Sequence, residues 1–373
     1  MSTVKVSFDN KRSKEFAREV KTAVKAYFEE KQIPQTANVQ MVLKTIVLGG
    51  GFVGIYALIL SGWFNVWQLW GLTFLLGVAI AGIGFSISHD ALHGAYSKHA
   101  WVNWLLGLSF DTLGANGYMW KITHNVIHHT YTNISGHDED LDVAAFVRLS
   151  PHTPHKPIHR LQHVLAFPAY AFATLFWLFV KDYKYFFAQK LGPYENKKHP
   201  VQEWVTLVIM KLFTYAYQIV IPLMVLDVTW WQFLIGFLTA HLTAGLILGV
   251  VFQLAHVVEE TAHPEYDATG LVDNNWWVHE METTSNFARR NKLLSWYIGG
   301  LNYQIEHHLF PQICSIHYPE ISPIVKAIAQ KHGVIYNEHD TLMIAIKSHY
   351  RTLVRFGSNI IVPDVPYRPN LAV

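Results

Sequence analysis

Apolar residues run almost without interruption at about 42–62, 67–88, 162–181, 201–226 and 229–252. Each run is close to the roughly 20 residues that carry a helix across a bilayer. A weaker run, 101–118, contains Asn103, Asp111 and Asn116. Those side chains are costly at mid-membrane, so this run is expected at the interface. Nearer the N-terminus, Phe16, Val20, Val24 and Tyr27 recur at helical spacing among Lys14, Arg18, Lys21 and Lys25. The pattern predicts an amphipathic helix over 11–31, lying on a membrane surface or on the protein's own soluble face. From Pro319 the chain turns polar, with helices predicted near 320–332 and 339–355 and a proline-containing tail. Three regions follow: an amphipathic segment over 1–40, a membrane core over 41–318, and a C-terminal cap and tail over 319–373.

Composition sharpens this picture. Charged residues make up 15% of the chain and hydrophobic ones 51%, whereas a soluble domain carries about 25% charged residues. A disordered or small secreted protein is excluded. The net charge of +2 is too mild for a nucleic-acid partner. Cys314 is the single cysteine, so no internal disulfide forms. Residues 1–40 are charged throughout and hold no apolar stretch of the kind a signal peptide needs. What remains conspicuous is 22 histidines.

Seven of them fall into three clusters: His89-Asp-Ala-Leu-His93, His124-Asn-Val-Ile-His128-His129, and Gln304-Ile-Glu-His307-His308. Histidines four apart on a helix share a face, so two imidazoles reach one metal ion. A doubled histidine adds a second direction, as two neighbouring ions require. At this histidine frequency about one His-x-x-x-His pair is expected by chance; three clusters beside apolar runs are not accidental. If they form one site, they lie on one side of the membrane, and an even number of crossings separates each pair. Three runs lie between the second cluster and the third, so one must fail to cross. Pro168 singles out 162–181. Four transmembrane helices in two hairpins result, with interfacial helices and a helical cap carrying the metal site: an all-α integral membrane protein. Residues 1–44 hold Lys5, Lys11, Arg12, Lys14, Arg18, Lys21, Lys25, Lys31 and Lys44, while 63–66 and 227–228 hold no Lys or Arg. The positive-inside rule then places both termini and the clusters in the cytoplasm.

His256 emerges from the last apolar run beside Gln253, where a ligand from that hairpin has to stand. Asp90, Asn302 and Glu306 sit within or beside the clusters and are candidates to orient imidazoles, as is the acidic run 137–142. His155, His159 and His163 repeat the four-residue spacing around Pro157 and are expected at the surface or behind the ligands. Hydrolytic zinc sites use three protein ligands, so eight histidines beside a membrane point to two ions. An oxygen-activating di-iron centre acting on an alkyl chain accounts for both the number and the location. A metal-binding receptor or transporter is the competing class, but transport sites lie near the midplane.

The order HDALH, HNVIHH, QIEHH, with paired apolar runs between the second and third boxes, resembles the membrane fatty acid desaturases over about residues 35–355. The glutamine of the third box and its setting over 299–311, together with His159-Arg-Leu-Gln-His163 and Thr283-Thr-Ser-Asn-Phe287, are similar to the front-end branch, of the Δ6 linoleoyl type. The resemblance implies iron ligation by His89, His93, His124, His128, His129, His256, His307 and His308. It adds Gln304, which stands where many relatives have histidine, as a ligand or a water-orienting group. It further implies two Fe ions, O2 as co-substrate, and a fatty acyl substrate carried on CoA or lipid. Residues 1–40 contain no HPGG motif of a fused cytochrome-b5-like domain, so electrons are expected from a separate carrier such as ferredoxin or cytochrome b5. A sphingolipid desaturase or a lipid hydroxylase with the same di-iron site is the alternative.

Overall fold

The computed structural model describes residues 5–11, 13–196 and 198–358; Arg12 and the predicted tail over 359–373 lie outside them. Four of the helices are each long and apolar enough to cross a membrane: Val39–Leu60, Val66–Leu92, Val201–Val225 and Trp230–His256. With the N-terminal helix Lys14–Lys31 as α1, we label the first two of these α2 and α3. Next come α4 (Ala100–Thr112) and a helical stretch over 117–131, α5. The pair α6 (Pro157–Ala171) and α7 (Ala173–Phe187) follows, then α8 (Val201–Val225) and α9 (Trp230–His256). The short helices α10 (Trp276–Thr283), α11 (Lys292–Tyr297) and α12 (Gln304–Leu309) lead to α13 (Tyr318–Lys331) and α14 (Leu342–Gly357). Three two-stranded ladders are the β-structure among the described residues. The bundle is therefore all-α in substance.

Lipid-facing character is visible on the spans. Ile46, Val53, Phe74, Val208 and Leu212 are exposed, as apolar side chains are when hydrocarbon replaces water as the solvent. Trp63, Trp67, Trp230 and Trp231 cluster around the turns joining α2 to α3 and α8 to α9. Tryptophan favours that interfacial level. Each of these turns ends in an N-cap that satisfies the first amides of the next helix: Asn65 for α3 and Thr229 for α9, both in capping boxes.

The central contact pairs α3 with α9. Gly77 meets Ala240 and Thr243, and Gly84 meets Leu248. The numbering rises together on both helices, so they run parallel and deliver their C-terminal ends, His89 and His256, to the same level. α6 and α7 pack on the other side of α9, where a Cβ on Gly245 would stand 2.1 Å from the Ala171 carbonyl oxygen. A glycine is required for that approach.

The pair α6–α7 bends by 58°. The bend is at Phe172, whose amide bonds back three residues to Ala169. It is not at Pro168, which the helix carries inside its run. Proline's missing N–H weakens a helix, but here the break falls where the chain turns tightly instead. α1 uses Phe16, Ala17, Val20, Val24 and Phe28 to pack on α13. Of the two surfaces open to it, the amphipathic helix therefore covers the protein's own C-terminal region. The buried position is Phe28, whereas the predicted Tyr27 is only half-buried.

The polar residues of the weak run 101–118 are satisfied locally. Asp111 accepts from Asn116 Nδ2 at 3.1 Å and from the Gly117 amide at 3.3 Å. Beside them Lys211 of α8 reaches Asp182 of α7 at 2.7 Å and donates to the carbonyls of Gly114, Trp177 and Leu178. Both charged groups are about 5% exposed, so removing one leaves the other stranded. Lys211→Met should destabilise the protein by about 3–5 kcal/mol. The check is the thermal unfolding midpoint in detergent, with Lys211→Met/Asp182→Leu expected to recover most of the loss.

Candidate metal centre

The three histidine clusters and His256 converge. Ring nitrogens of His89, His93, His124 and His307 lie within 4.8 Å of one another, and so do those of His128, His256 and His308. His129 stands between the two sets, grouped with His307 and His308 by the same measure. All eight are buried except His93, which is partly so. Elements far apart in sequence meet here: the ends of α3 and α9, the helical stretch α5, and α12.

Local geometry explains how each box presents its rings. Residues 84–88, immediately before His89, and 121–128 are π-helical. In an ordinary α-helix positions five apart diverge by about 140°. The wider π turn closes on the fifth residue instead. His124 and His129 are five apart, and their Nε2 atoms stand 3.2 Å from each other. The sequence spacing of four does not reveal this. Gly299 (φ +64°) tucks the approach to the third box against Phe85, where a Cβ would lie 2.3 Å from the backbone oxygen. The adjacent glycines of the third-box motif thus fit it to the first box.

Four imidazoles have Nδ1 engaged, which leaves Nε2 for the centre. His128 Nδ1 donates to Asp138 at 3.0 Å and His308 Nδ1 pairs with Glu280 at 2.7 Å. His256 Nδ1 meets the Thr283 carbonyl and His307 Nδ1 the Tyr318 hydroxyl, both at 3.2 Å. Glu280 also accepts from Thr132 at 2.9 Å. Asp138 was within reach of the sequence, as part of the acidic run. Glu280 was not; it is one acid in the aromatic helix α10 and had no spacing signal.

The expected orienting groups act elsewhere. Asp90 accepts from the Ser315 amide and hydroxyl and from Cys314, tying the first box to the loop before α13. Glu306 accepts from Asn286 and Tyr336, and Asn302 donates to Ser295. Glu306 and Asn302 give their hydrogen bonds away from the imidazoles, whereas Asp90 turns one oxygen to Ser315 and keeps the other 3.7 Å from His89 Nδ1. His155 and His159 bond the backbone at Gly357 and at Lys156 and Ala145, and His163 packs on Tyr350. They fasten the start of α6 and stand outside the centre.

The donor set fits metal ions. Both nitrogens of His89, Nε2 of His93 and of His307, and Nδ1 of His129 are buried with no hydrogen-bond partner. Leaving so many polar atoms unpaired is costly unless a ligand takes them up. Two nitrogens bound at right angles to one ion at about 2.1 Å stand about 3 Å apart. The His124–His129 and His256–His308 Nε2 pairs, at 3.2 and 3.1 Å, match that separation. Burial, and then the crowding of other imidazoles, holds His93, His124, His129, His307 and His308 well below the usual histidine range. Neutral lone pairs are what a cation needs. His128 differs: burial opposes its charge, but the Asp138 carboxylate overrides this and raises it to about 9. Burial likewise pushes the Glu280 carboxyl well above its ordinary range. A bound dication supplies the positive charge it lacks.

Gln304 is buried in the first turn of α12 with its amide nitrogen unpartnered. A cavity of about 980 Å³ opens onto His124, His128 and His256 and continues along Trp120, Trp177 and Phe252. Metal donors at one end, acidic and basic side chains such as Asp140 and Lys181 on one stretch, and an apolar stretch along Trp120, Trp177 and Phe252 suit oxidative chemistry on a hydrocarbon that carries a polar head.

Comparison with known proteins agrees. The sequence profile of the fatty acid desaturase family matches residues 65–340. The chain is 37% identical over 361 residues to the sn-1 linoleoyl-lipid 6-desaturase of Arthrospira platensis, covering 96% of each chain. It is 35% identical over 363 residues to the sn-1 linoleoyl-lipid 6-desaturase of Synechocystis sp., covering 96% of this chain and 99% of the relative. With the acyl-lipid (8-3)-desaturase of Physcomitrium patens it shares 31% identity over 355 residues, 92% of this chain and 72% of the other. If Glu280 orients His308, Glu280→Ala should weaken iron retention by about 10- to 100-fold. Iron per chain after dialysis against a graded chelator series measures it.

Proposed function

This chain belongs to the fatty acid desaturase family, and from that premise we propose that it desaturates linoleoyl-type lipid chains in the membrane, placing a cis double bond between an existing one and the carboxyl end. The observation that carries this reading is a paired set of buried imidazoles beside a cavity with an apolar stretch along Trp120, Trp177 and Phe252. The names of the first two relatives given above, both sn-1 linoleoyl-lipid 6-desaturases, support the position of the new bond.

In our reading one iron is held by His89, His93, His124 and His307. The second is held by His128, His129, His256 and His308, with Gln304 beside it as a ligand or water-orienting group. The grouping of ring nitrogens supports this division. When bound, the two irons supply, with O2 and two electrons, the oxidising power to remove two hydrogens from neighbouring methylenes. The chain's own residues provide position and dryness. Asp138 and Glu280 fix the rings of His128 and His308. Trp120, Trp177 and Phe252 keep the alkyl chain beside the imidazoles and away from water. No side-chain acid or base is needed at the carbon atoms.

The arrangement in the membrane is also our proposal. Four spans form two hairpins, with α4 at the interface, and residues 1–40 and 319–373 flank the core over 41–318 on its cytoplasmic side. The turns rich in tryptophan and free of Lys and Arg support an outer location for them, and the parallel α3 and α9 support a shared level for the site. Electrons come from a carrier such as ferredoxin or cytochrome b5.

Expression in a host without polyunsaturated lipids, fed linoleate, should yield a product lighter by two hydrogens with its new bond on the carboxyl side of the existing pair. A product heavier by one oxygen would identify a hydroxylase instead. His128→Ala should lower product formation at least about 100-fold while the protein stays in the membrane fraction. Retained activity would remove the second box from the centre. Single cysteines introduced into 61–65 should react with a membrane-impermeant thiol reagent from outside the cell, and cysteines in α1 only after lysis.

A further inference from the structure

Two cavities lie end to end along α9. The first, of about 980 Å³, runs from His256 to Leu248, with Ala173 and Phe176 on its opposite wall. The second, of about 530 Å³, lies between α2, α3, α8 and α9 and is lined by Tyr56, Leu76, Trp231, Gln218 and His241 among others. With a rise of 1.5 Å per residue, Leu248 is about 12 Å from His256 and His241 about 22 Å. About two turns of α9 therefore separate the cavities.

What fills that interval is polar. Thr174 of α7, beside the wall of the first cavity, donates to the His241 carbonyl at 2.8 Å, and its Oγ1 lies 3.2 Å from His241 Nδ1. On the far side His241 Nε2 meets Gln218 Oε1 at 2.9 Å. Gln218 Nε2 then donates to the Tyr217 hydroxyl and Tyr217 to the Thr112 carbonyl, at 2.8 and 2.7 Å. A neutral His241 carrying its proton on Nε2 donates to Gln218 Oε1 and turns its Nδ1 lone pair towards the Thr174 hydroxyl. Thr174 and His241 are fully buried, and neither takes part in the metal centre. An ionisable side chain at that depth is expensive and calls for a function. Phe237 packs on the His241 ring at 4.5 Å and closes the gap further.

We propose that the Thr174–His241–Gln218 partition is the stop that sets acyl chain length, and that the second cavity is a closed extension able to take the methyl end of longer acyl chains. The inference rests on the reading of the first cavity as the acyl site. A chain held with its reacting methylenes beside the histidines points its methyl end along α9. The open length, about 12 Å, is of the order of one leaflet's hydrocarbon depth, about 15 Å. A longer chain has to displace His241 and break its hydrogen bonds. Because the reacting carbons are counted from the carboxyl side, opening the partition changes which chains are accepted and leaves bond position as it is.

The test uses the full chain in membranes and two readouts. A linoleoyl-type chain of twenty-two carbons bearing a diazirine at its methyl end is photolysed on the protein, and labelled residues are found by peptide mass spectrometry. In the unaltered protein the label should fall on the first cavity, at Ala173, Phe176 or Leu248. In His241→Ala it should move to Tyr56 or Trp231. In competition between chains of twenty-two and eighteen carbons, the product ratio should rise about tenfold, the scale on which a few methylenes are discriminated. Label on Tyr56 or Trp231 before any substitution, or an unmoved label and ratio in the variant, overturns the proposal. If His241→Ala fails to accumulate, Thr174→Ala opens the same partition from α7 and is judged by the same outcomes. Should the unaltered protein desaturate no chain at all, the acyl desaturase reading fails, while the labelling still decides whether the partition divides the two cavities.

Discussion

Eight imidazoles crowd into a dry interior, and the rest of the structure is arranged around that crowding. Unpaired ring nitrogens at His89, His93, His129 and His307 are tolerable only where cations take up their lone pairs. Binding energy for the metals is therefore also energy that holds α5 and α12 against the ends of α3 and α9. The parallel contact of α3 with α9 provides the frame. It brings His89 and His256 to one level without any loop having to span the distance.

Around this frame the orienting groups divide the labour unevenly. The carboxylates that hydrogen-bond a ring serve one set, Asp138 at His128 and Glu280 at His308. The first set is held instead by a phenol at His307 and by packing, with His89 and His93 on consecutive turns, their rings 4.6 Å apart. The difference is one of distance: Asp138 and Glu280 stand at 3.0 and 2.7 Å from their rings, whereas Asp90 and Asp140 stay 3.7 and 3.6 Å from His89 and His124, so the two sets are not equivalently supported. The acids inside the boxes serve the scaffold: Asp90 and Glu306 fasten the first and third boxes to the loops near Ser315 and Tyr336.

Polar atoms at membrane depth follow one rule in this molecule: each is used twice. Lys211 neutralises Asp182 and closes two carbonyls where α7 is irregular and a third at Gly114, after α4. His241 closes a hydrogen-bonded chain between α7 and α8 while standing between two cavities. Where hydrocarbon offers no partners, a polar side chain persists when it satisfies backbone or other side chains, and its position then becomes rigid.

The amino-acid pattern by itself determined the apolar runs of α2, α3, α8 and α9, the amphipathic α1, the two C-terminal helices and the identity of the eight histidines, because burial periodicity and metal-ligand chemistry are local properties of residue type and spacing. Tertiary structure alone decided the rest. That Phe172 rather than Pro168 bends the α6–α7 pair depends on the packing of Ala171 against Gly245. That His124 and His129 share a direction depends on a π turn which no spacing rule announces. That Glu280, and not Glu306 or Asp90, hydrogen-bonds an imidazole depends on α10 reaching the site from outside every box. Such choices rest on how separate elements pack and on local helix geometry, and only folding brings those partners into contact.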